Sequence, residues 1–272
     1  MTQISLIDIN SLIKSKNKSS KNWDKYNFLF NKISQLLGEK LQELGSNYDK
    51  ILLLSSDAGE SLQNTIKLSF KKLIFLSPYR NLLEKKKFES KRILKVQSRF
   101  ENLPLKKEMF DLIISNLCIN NIFDLKKHLT ELFDLLKGNG LFICNFYAEK
   151  TIYELRDSLI STDEKLFKGA FMRLPINLKM VEVTDLLGQI GFKDLVSEKI
   201  SYKIYYNNIR KIFEDLKGIG ENTILINRKK SLMTNNYLNT LNKEYKNKFR
   251  DENGMRLTCE VVSVSSWKNK II

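Results

Sequence analysis

Histidine is all but missing from this chain and cysteine is scarce: in 272 residues there is one histidine, His128, and there are three cysteines. A metal centre built on imidazoles is excluded by that count. Cys118, Cys144 and Cys259 lie far apart in sequence, unlike the close pairs of zinc or thioredoxin-like redox sites. Cys118 and Cys144 stand in or beside apolar runs and read as small buried side chains. His128, preceded by Lys126 and Lys127, reads as a lone surface histidine on a helix. No Ser-His-Asp set is present to make a nucleophile. Apolar runs are short as well, none approaching the roughly 18 to 20 residues of a membrane span. Met1 to Ser20 has no long apolar centre and no small-residue cleavage site, so export is disfavoured and a cytoplasmic location is expected.

Acidic residues are in deficit, 31 against 46 Lys and Arg, for a formal charge of +15. Such a field attracts nucleic acid, acidic lipid headgroups or acidic proteins. The excess is mostly lysine spread along a chain rich in Lys, Asn and Ile. Its short clusters, Lys85-Lys86-Lys87 between Glu84 and Glu89, and Arg228-Lys229-Lys230, are not interleaved with the aromatic residues of a base-stacking platform. A specific nucleic-acid partner is therefore not expected; contact with a membrane surface stays open.

What is present is a succession of short apolar runs. Residues 23–44 carry apolar side chains at helical spacing and stop at Gly45, which predicts one or two helices. Strands are predicted over 50–54, 72–76, 93–97, 110–115 and 141–147, with helices over 60–69, 81–88 and 125–136 between them. The last of these helices closes on Lys137-Gly138-Asn139-Gly140, read as a helix stop with a tight turn. Five strands alternating with helices imply a parallel sheet covered on both faces, and right-handed crossovers make it doubly wound. The second half differs. Helices are predicted over 151–166 and 184–190, a strand over 195–204, a largely helical stretch over 207–249 broken at Gly218-Ile219-Gly220, and a last strand over 257–267. The expected fold class is thus α/β: a doubly wound, mostly parallel seven-stranded sheet in one domain over 1–272. Residues 1–48 supply N-terminal helices, 49–150 the first half of the sheet, and 151–272 helical insertions with the last two strands.

The most informative stretch runs from Ile51 to Glu60, ILLLSSDAGE, an apolar run that breaks into small and polar residues and then into a helix. That is the pattern of the first strand and loop of a nucleotide-binding α/β domain. Such loops use two or three glycines so that backbone can approach the ligand; here only Gly59 remains.

The order LIFLSP, FDLIIS, KGNG and LFICNFY resembles class I S-adenosylmethionine-dependent methyltransferases. The likeness is closest to the branch holding the malonyl-carrier-protein methyltransferases of biotin synthesis and the mitochondrial respiratory complex I assembly factors. The assembly-factor likeness is the more specific. It rests on Lys21-Asn22-Trp23, Thr151-Ile152-Tyr153-Glu154-Leu155-Arg156, Asp185-Leu186-Leu187-Gly188 with Gly191-Phe192, Glu214 to Asn222 (EDLKGIGEN), Asn227-Arg228-Lys229, Tyr245 to Gly254 (YKNKFRDENG) and Ser266-Trp267-Lys268. The resemblance implies a Rossmann-like methyltransferase fold, S-adenosylmethionine as cofactor, and a protein client among respiratory subunits. It further implies Ser55, Asp57, Gly59, Ser77, Glu101 and Asn116 as the cofactor-facing positions. Tyr153, Arg156, Glu221, Asn222 and Arg228 become client-facing candidates, with the helix-tying role of Glu154 and Asp157 an equal alternative.

The chain departs from the family's Asp-Leu-Gly-Cys-Gly-x-Gly pattern where ligand contacts fall. Leu53 takes the place of the leading acid, and Ser55 and Asp57 the places of two glycines. Ser77 stands where a ribose-binding carboxylate ends the second strand, Arg99 where an acid meets the adenine with Glu101 as a near substitute, and Asn120-Asn121 replaces an aromatic pair. These departures predict weakened or lost cofactor binding in a protein that acts chiefly on a client. The alternatives are an active methyltransferase with a divergent loop, and a basic module for RNA or membrane surface.

Overall fold

The computed structural model describes residues 8–45, 47–88, 90–221, 225–226 and 234–269. Eight strands form one sheet: β1 (Asn47–Ser55), β2 (Ser69–Ser77), β3 (Ile93–Gln97), β4 (Phe110–Asn116), β5 (Leu136–Tyr147), β6 (Lys193–Tyr206), β7 (Arg250–Asp251) and β8 (Gly254–Lys268). Their order is β3-β2-β1-β4-β5-β8-β6, with the two-residue β7 pairing only to β8. The first five pair in parallel, and β8 runs antiparallel to both β5 and β6. Seven strands are thus as expected, and β7 is an addition at a hairpin.

The period-two alternation of side chains sorts the apolar runs between two faces. On one face Leu52, Leu54, Ile74, Ile113, Phe142 and Cys144 pack with Leu129 and Leu132 of α6 (Leu125–Leu135) and Val183 and Leu187 of α8 (Met180–Ile190). On the other, Ile51, Leu53, Leu73, Phe75, Ile114 and Ile143 pack with Leu37 and Leu41 of α3 (Phe28–Leu44). A smaller cluster, including Leu155, Ile212, Tyr237, Leu241 and Tyr245, joins α7 (Tyr153–Phe167), α9 (Ile209–Gly218) and α10 (Asn235–Phe249). Short helices α2 (Trp23–Tyr26), α4 (Glu60–Thr65) and α5 (Arg80–Leu83) complete the order.

Two expectations are revised, and one helix was not foreseen. The helix stop at Lys137-Gly138-Asn139-Gly140 is as expected, but its turn is a bulge within β5: pairing to β4 jumps from Leu136 opposite Phe110 to Leu141 opposite Leu112, with Asn139 at φ +64°. His128 is not at the surface: it is 2% exposed, because the helical period aligns it with Leu129, Leu132 and Leu135 rather than with its lysine neighbours. Helix α1 (Ile9–Ser19) arises in a stretch so rich in Lys and Asn that its apolar face is hard to see, and its N-cap is Asp8, whose carboxylate accepts from the Ser11 N–H. Among the described residues no helix is long and apolar enough to cross a membrane, and no His, Cys, Asp and Glu side chains gather in a metal-binding group.

Candidate functional site

From β1 the sheet grows to β2 and β3 on one side and then to β4 on the other, so the reversal lies between the carboxyl ends of β1 and β4. Ligand crevices of open α/β sheets form at such a reversal. The loop that leaves β1 there is closed by its own side chains. Asp57 accepts the Gly59 N–H at 2.8 Å and the Ser61 N–H at 3.0 Å, and takes the Asn116 amide at 3.2 Å. Glu60 accepts the Ala58 N–H at 2.8 Å, and its other oxygen receives Trp23 Nε1 and Asn27 Nδ2, both at 3.0 Å, with Lys86 Nζ at 3.1 Å. The Asp57 N–H is itself donated to Ser55 Oγ at 3.2 Å, and Ser56 Oγ donates to the Leu117 carbonyl at 2.8 Å. Gly59 is needed for its backbone, which has φ +106°, while a Cβ there would come within 3.3 Å of Phe88. Burial raises the pKa of Asp57, and the charge of Glu60 adds to the shift; the donors from Gly59 and Ser61 oppose it.

The other positions expected to face a cofactor also make hydrogen bonds within the chain. Ser77 is fully buried and its Oγ accepts the Tyr79 N–H at 3.4 Å. Glu101 accepts the Phe123 N–H at 3.2 Å, and Arg99 donates to Asn10 on α1. Asn116 also accepts the Asn145 amide at 2.9 Å. Tyr79, Leu12 of α1, Phe100 and Cys118 all lie in the core across the ends of β1, β2 and β4, and the cavity left among them is ≈ 20 Å³. The Tyr79 phenol lies beside Ser56, and burial raises its pKa.

A larger cavity, ≈ 100 Å³, opens further along the same edge, between β4, β5 and the helical half. Its walls include Tyr26, Phe28, Tyr147, Tyr206, Asp215 and Glu221. Tyr206 donates to Asp215 at 2.8 Å, and Glu221 is ion-paired at 2.6 Å with the buried Lys16 of α1. The Tyr147 hydroxyl is buried and has no hydrogen-bond partner among the described residues, and burial pushes its pKa well above the usual phenol range. Asn120 clamps the Tyr147 backbone through both its amide groups, at 2.7 and 2.9 Å. Two bulky residues on this wall, Leu117 at φ +57° and Ile152 at φ +53°, hold left-handed backbone, which is uncommon for such side chains and concentrates at functional sites.

Of the client-facing candidates, Glu221 belongs to this cavity. Tyr153 and Arg156 do not line it: the Tyr153 hydroxyl accepts Arg256 at 3.0 Å, and Arg156 donates to the Pro175 carbonyl at 2.9 Å. Glu154 is buried against β8, accepting the Thr258 N–H at 3.0 Å and so tying α7 to the sheet. Asn222 and Arg228 lie outside the described residues. Sequence reading missed Tyr26, Tyr147, Tyr206 and Asp215. Asp215 sits inside the quoted EDLKGIGEN stretch, so a signal was present; the three tyrosines come together only through the fold.

Residues 61–144 match the family model described as a methyltransferase domain. Along most of its length the chain is similar to the arginine-hydroxylase NDUFAF5, mitochondrial, of Homo sapiens, with 24% identity over 268 residues, covering 96% of this chain and 77% of that one. It is also similar to the malonyl-[acyl-carrier protein] O-methyltransferase of Gallionella capsiferriformans, 30% identical over 183 residues, which are 67% of this chain and 61% of the relative. Among solved structures, the YcgJ protein of Bacillus subtilis superposes with a TM-score of 0.60 at 12% identity, covering 86% of this chain and 98% of that one. The phosphoethanolamine N-methyltransferase 2 of Haemonchus contortus gives 0.58 at 15%, covering 98% and 61%. These structural likenesses carry the fold alone. With the reversal-centred crevice, the strand order and the matched domain together, the chain is a class I S-adenosylmethionine methyltransferase-like protein.

Proposed function

We infer that this protein keeps the methyltransferase architecture, has lost effective S-adenosylmethionine binding, and acts by holding a protein client at its aromatic cavity. The single observation that carries the first part is the closed crevice. The residues there do not fit a ligand that brings its own carboxylate and ribose. The Asp57 and Glu60 side chains already accept the loop N–H groups, no free carboxylate ends β2, and Tyr79 and Leu12 fill the space. A further anion at the loop would face two carboxylates at close range.

The client reading is supported by the cavity itself. Aromatic faces beside the Asp215 carboxylate suit a cationic side chain, through ring quadrupole and charge together. The relatives named arginine-hydroxylase make arginine the first choice of side chain. The test is a titration of the full chain with an arginine-bearing peptide, followed by tyrosine fluorescence. Saturable binding, weakened about tenfold by Asp215→Asn, is expected from the loss of one charged hydrogen bond. Failure to bind, or indifference to that substitution, contradicts the assignment.

The second reading is an active S-adenosylmethionine-dependent methyltransferase with a divergent loop, favoured by the domain match over residues 61–144. It requires Tyr79 to leave the crevice and Asp57 to release its N–H groups. Cytoplasm is the compartment we assign, with mitochondria as the alternative that the relatives' name supplies.

A further inference from the structure

We propose that the groove between α1, the turn that follows it, and the end of α9 is a binding site for a polyphosphate group. The groove is concave, ≈ 490 Å³, and shares α9 and the Tyr26 side chain with the aromatic cavity. Lys14, Lys18 and Lys21 reach it from the N-terminal segment and Lys217 from α9, beside the side chain of Asn22. None of the four lysine ammonium groups has an ion pair or hydrogen bond among the described residues. The carboxylate in the groove, Glu214, is already occupied: Lys211 and Lys25 pair with it at 2.6 and 3.5 Å, and the Tyr26 hydroxyl donates to it at 2.9 Å. Those contacts hold its carboxyl down to about 2. Four uncompensated cations facing one concavity repel one another and are stabilised by a ligand carrying several negative charges.

The dimensions separate this from general attraction by a basic protein. A pocket of this volume takes a small multiply charged group rather than a strand, and its one aromatic side chain, Tyr26, is committed to Glu214 through its hydroxyl. Lys18 and Lys217 stand in the last turns of their helices, where cations also offset the helix ends; Lys14 and Lys21 do not share that role. The site is independent of the client reading, but Tyr26 belongs to both concavities and Lys16, between Lys14 and Lys18 on α1, pairs with Glu221 of the cavity wall. Occupation of the groove therefore draws α1 and α9 together beside the cavity.

The experiment is isothermal titration of the full chain with tripolyphosphate, alongside sedimentation with phosphatidylcholine vesicles with and without phosphatidylglycerol. Two variants of equal charge are compared: K14Q/K18Q/K21Q/K217Q in the groove, and K150Q/K193Q/K203Q/K243Q scattered over exposed positions elsewhere. One-to-one tripolyphosphate binding, weakened about thirtyfold in the groove variant and retained in the scattered one, is expected from four exposed charge contacts. Vesicle binding with the same dependence, competed by tripolyphosphate, identifies a lipid headgroup as the source; vesicle indifference with tripolyphosphate binding identifies a free polyphosphate. Absence of tripolyphosphate binding, or equal weakening in both variants, overturns the site. Should the fourfold variant unfold, the single K217Q variant carries the same comparison.

Discussion

His128 shows how one side chain ties stability to pH. Buried on the inner face of α6, it is pushed down to about 4 by desolvation, with the Phe100 backbone opposing only in part. Its unfolded pKa is near 6.5, so between those values the unfolded chain takes the proton first, and folding stability falls as pH drops. The loss begins near pH 6.5, is complete below the folded pKa, and amounts to about 3 kcal/mol. Urea unfolding across that range should show this slope, and His128→Leu should flatten it. Sequence reading placed His128 outside because its neighbours are lysines; only the three-dimensional phase of the helix sets it among leucines. Tyr147 gives a different expectation. Its hydroxyl is buried without a partner among the described residues, and removing an unsatisfied group is neutral or stabilising. Tyr147→Phe should leave the melting temperature unchanged or raised while weakening peptide binding; a fall of several degrees would show that the hydroxyl is already satisfied.

At the scale of elements, the β1 loop and α4 form one network in which side chains of the loop itself accept its backbone N–H groups. Asp57→Ala removes acceptors from two backbone N–H groups and the Asn116 amide, which should cost about 2 kcal/mol. Unchanged stability in denaturant unfolding would mean that the loop is held by other contacts. The junction of α1 with the end of α9 is tighter still. Gly220 has φ +75°, and a Cβ there would come within 2.9 Å of the Lys16 backbone. Gly220→Ala should therefore destabilise by about 2 kcal/mol, through strain and the displaced Lys16–Glu221 pair, and a near-neutral thermal shift would refute that packing. The strands were readable as elements because buried parallel strands are nearly continuous apolar runs; their ends extended by a few residues in the fold. The start of β5 was only partly readable: Gly138 and Asn139 do turn the chain, as a bulge, but Leu136 before them already pairs with β4 and Gly140 after them with β8.

For the molecule as a whole, the sequence showed a doubly wound sheet because strands and helices alternate, and its parallel half fell where expected. It also pointed to Ser55, Asp57 and Ser77 as the positions to inspect at the crevice, and all three lie there, buried. What it did not show is how the crevice is closed. That depends on Leu12 arriving from a helix hidden in a polar stretch and on Tyr79 folding back across the strand ends. Nor was the aromatic cavity visible, since its walls come from α2, β5, β6 and α9 at once. Closing one site with internal side chains while leaving a strained, aromatic wall beside it is consistent with a fold reused for binding.

The closed crevice is tested most directly by isothermal titration of the full chain with S-adenosylmethionine and S-adenosylhomocysteine. No saturable heat is expected up to millimolar ligand, and removal of the filling ring in Tyr79→Ala should not by itself restore binding, because Asp57 and Glu60 still hold the loop. Micromolar affinity in the unmodified protein would contradict a crevice closed by its own side chains.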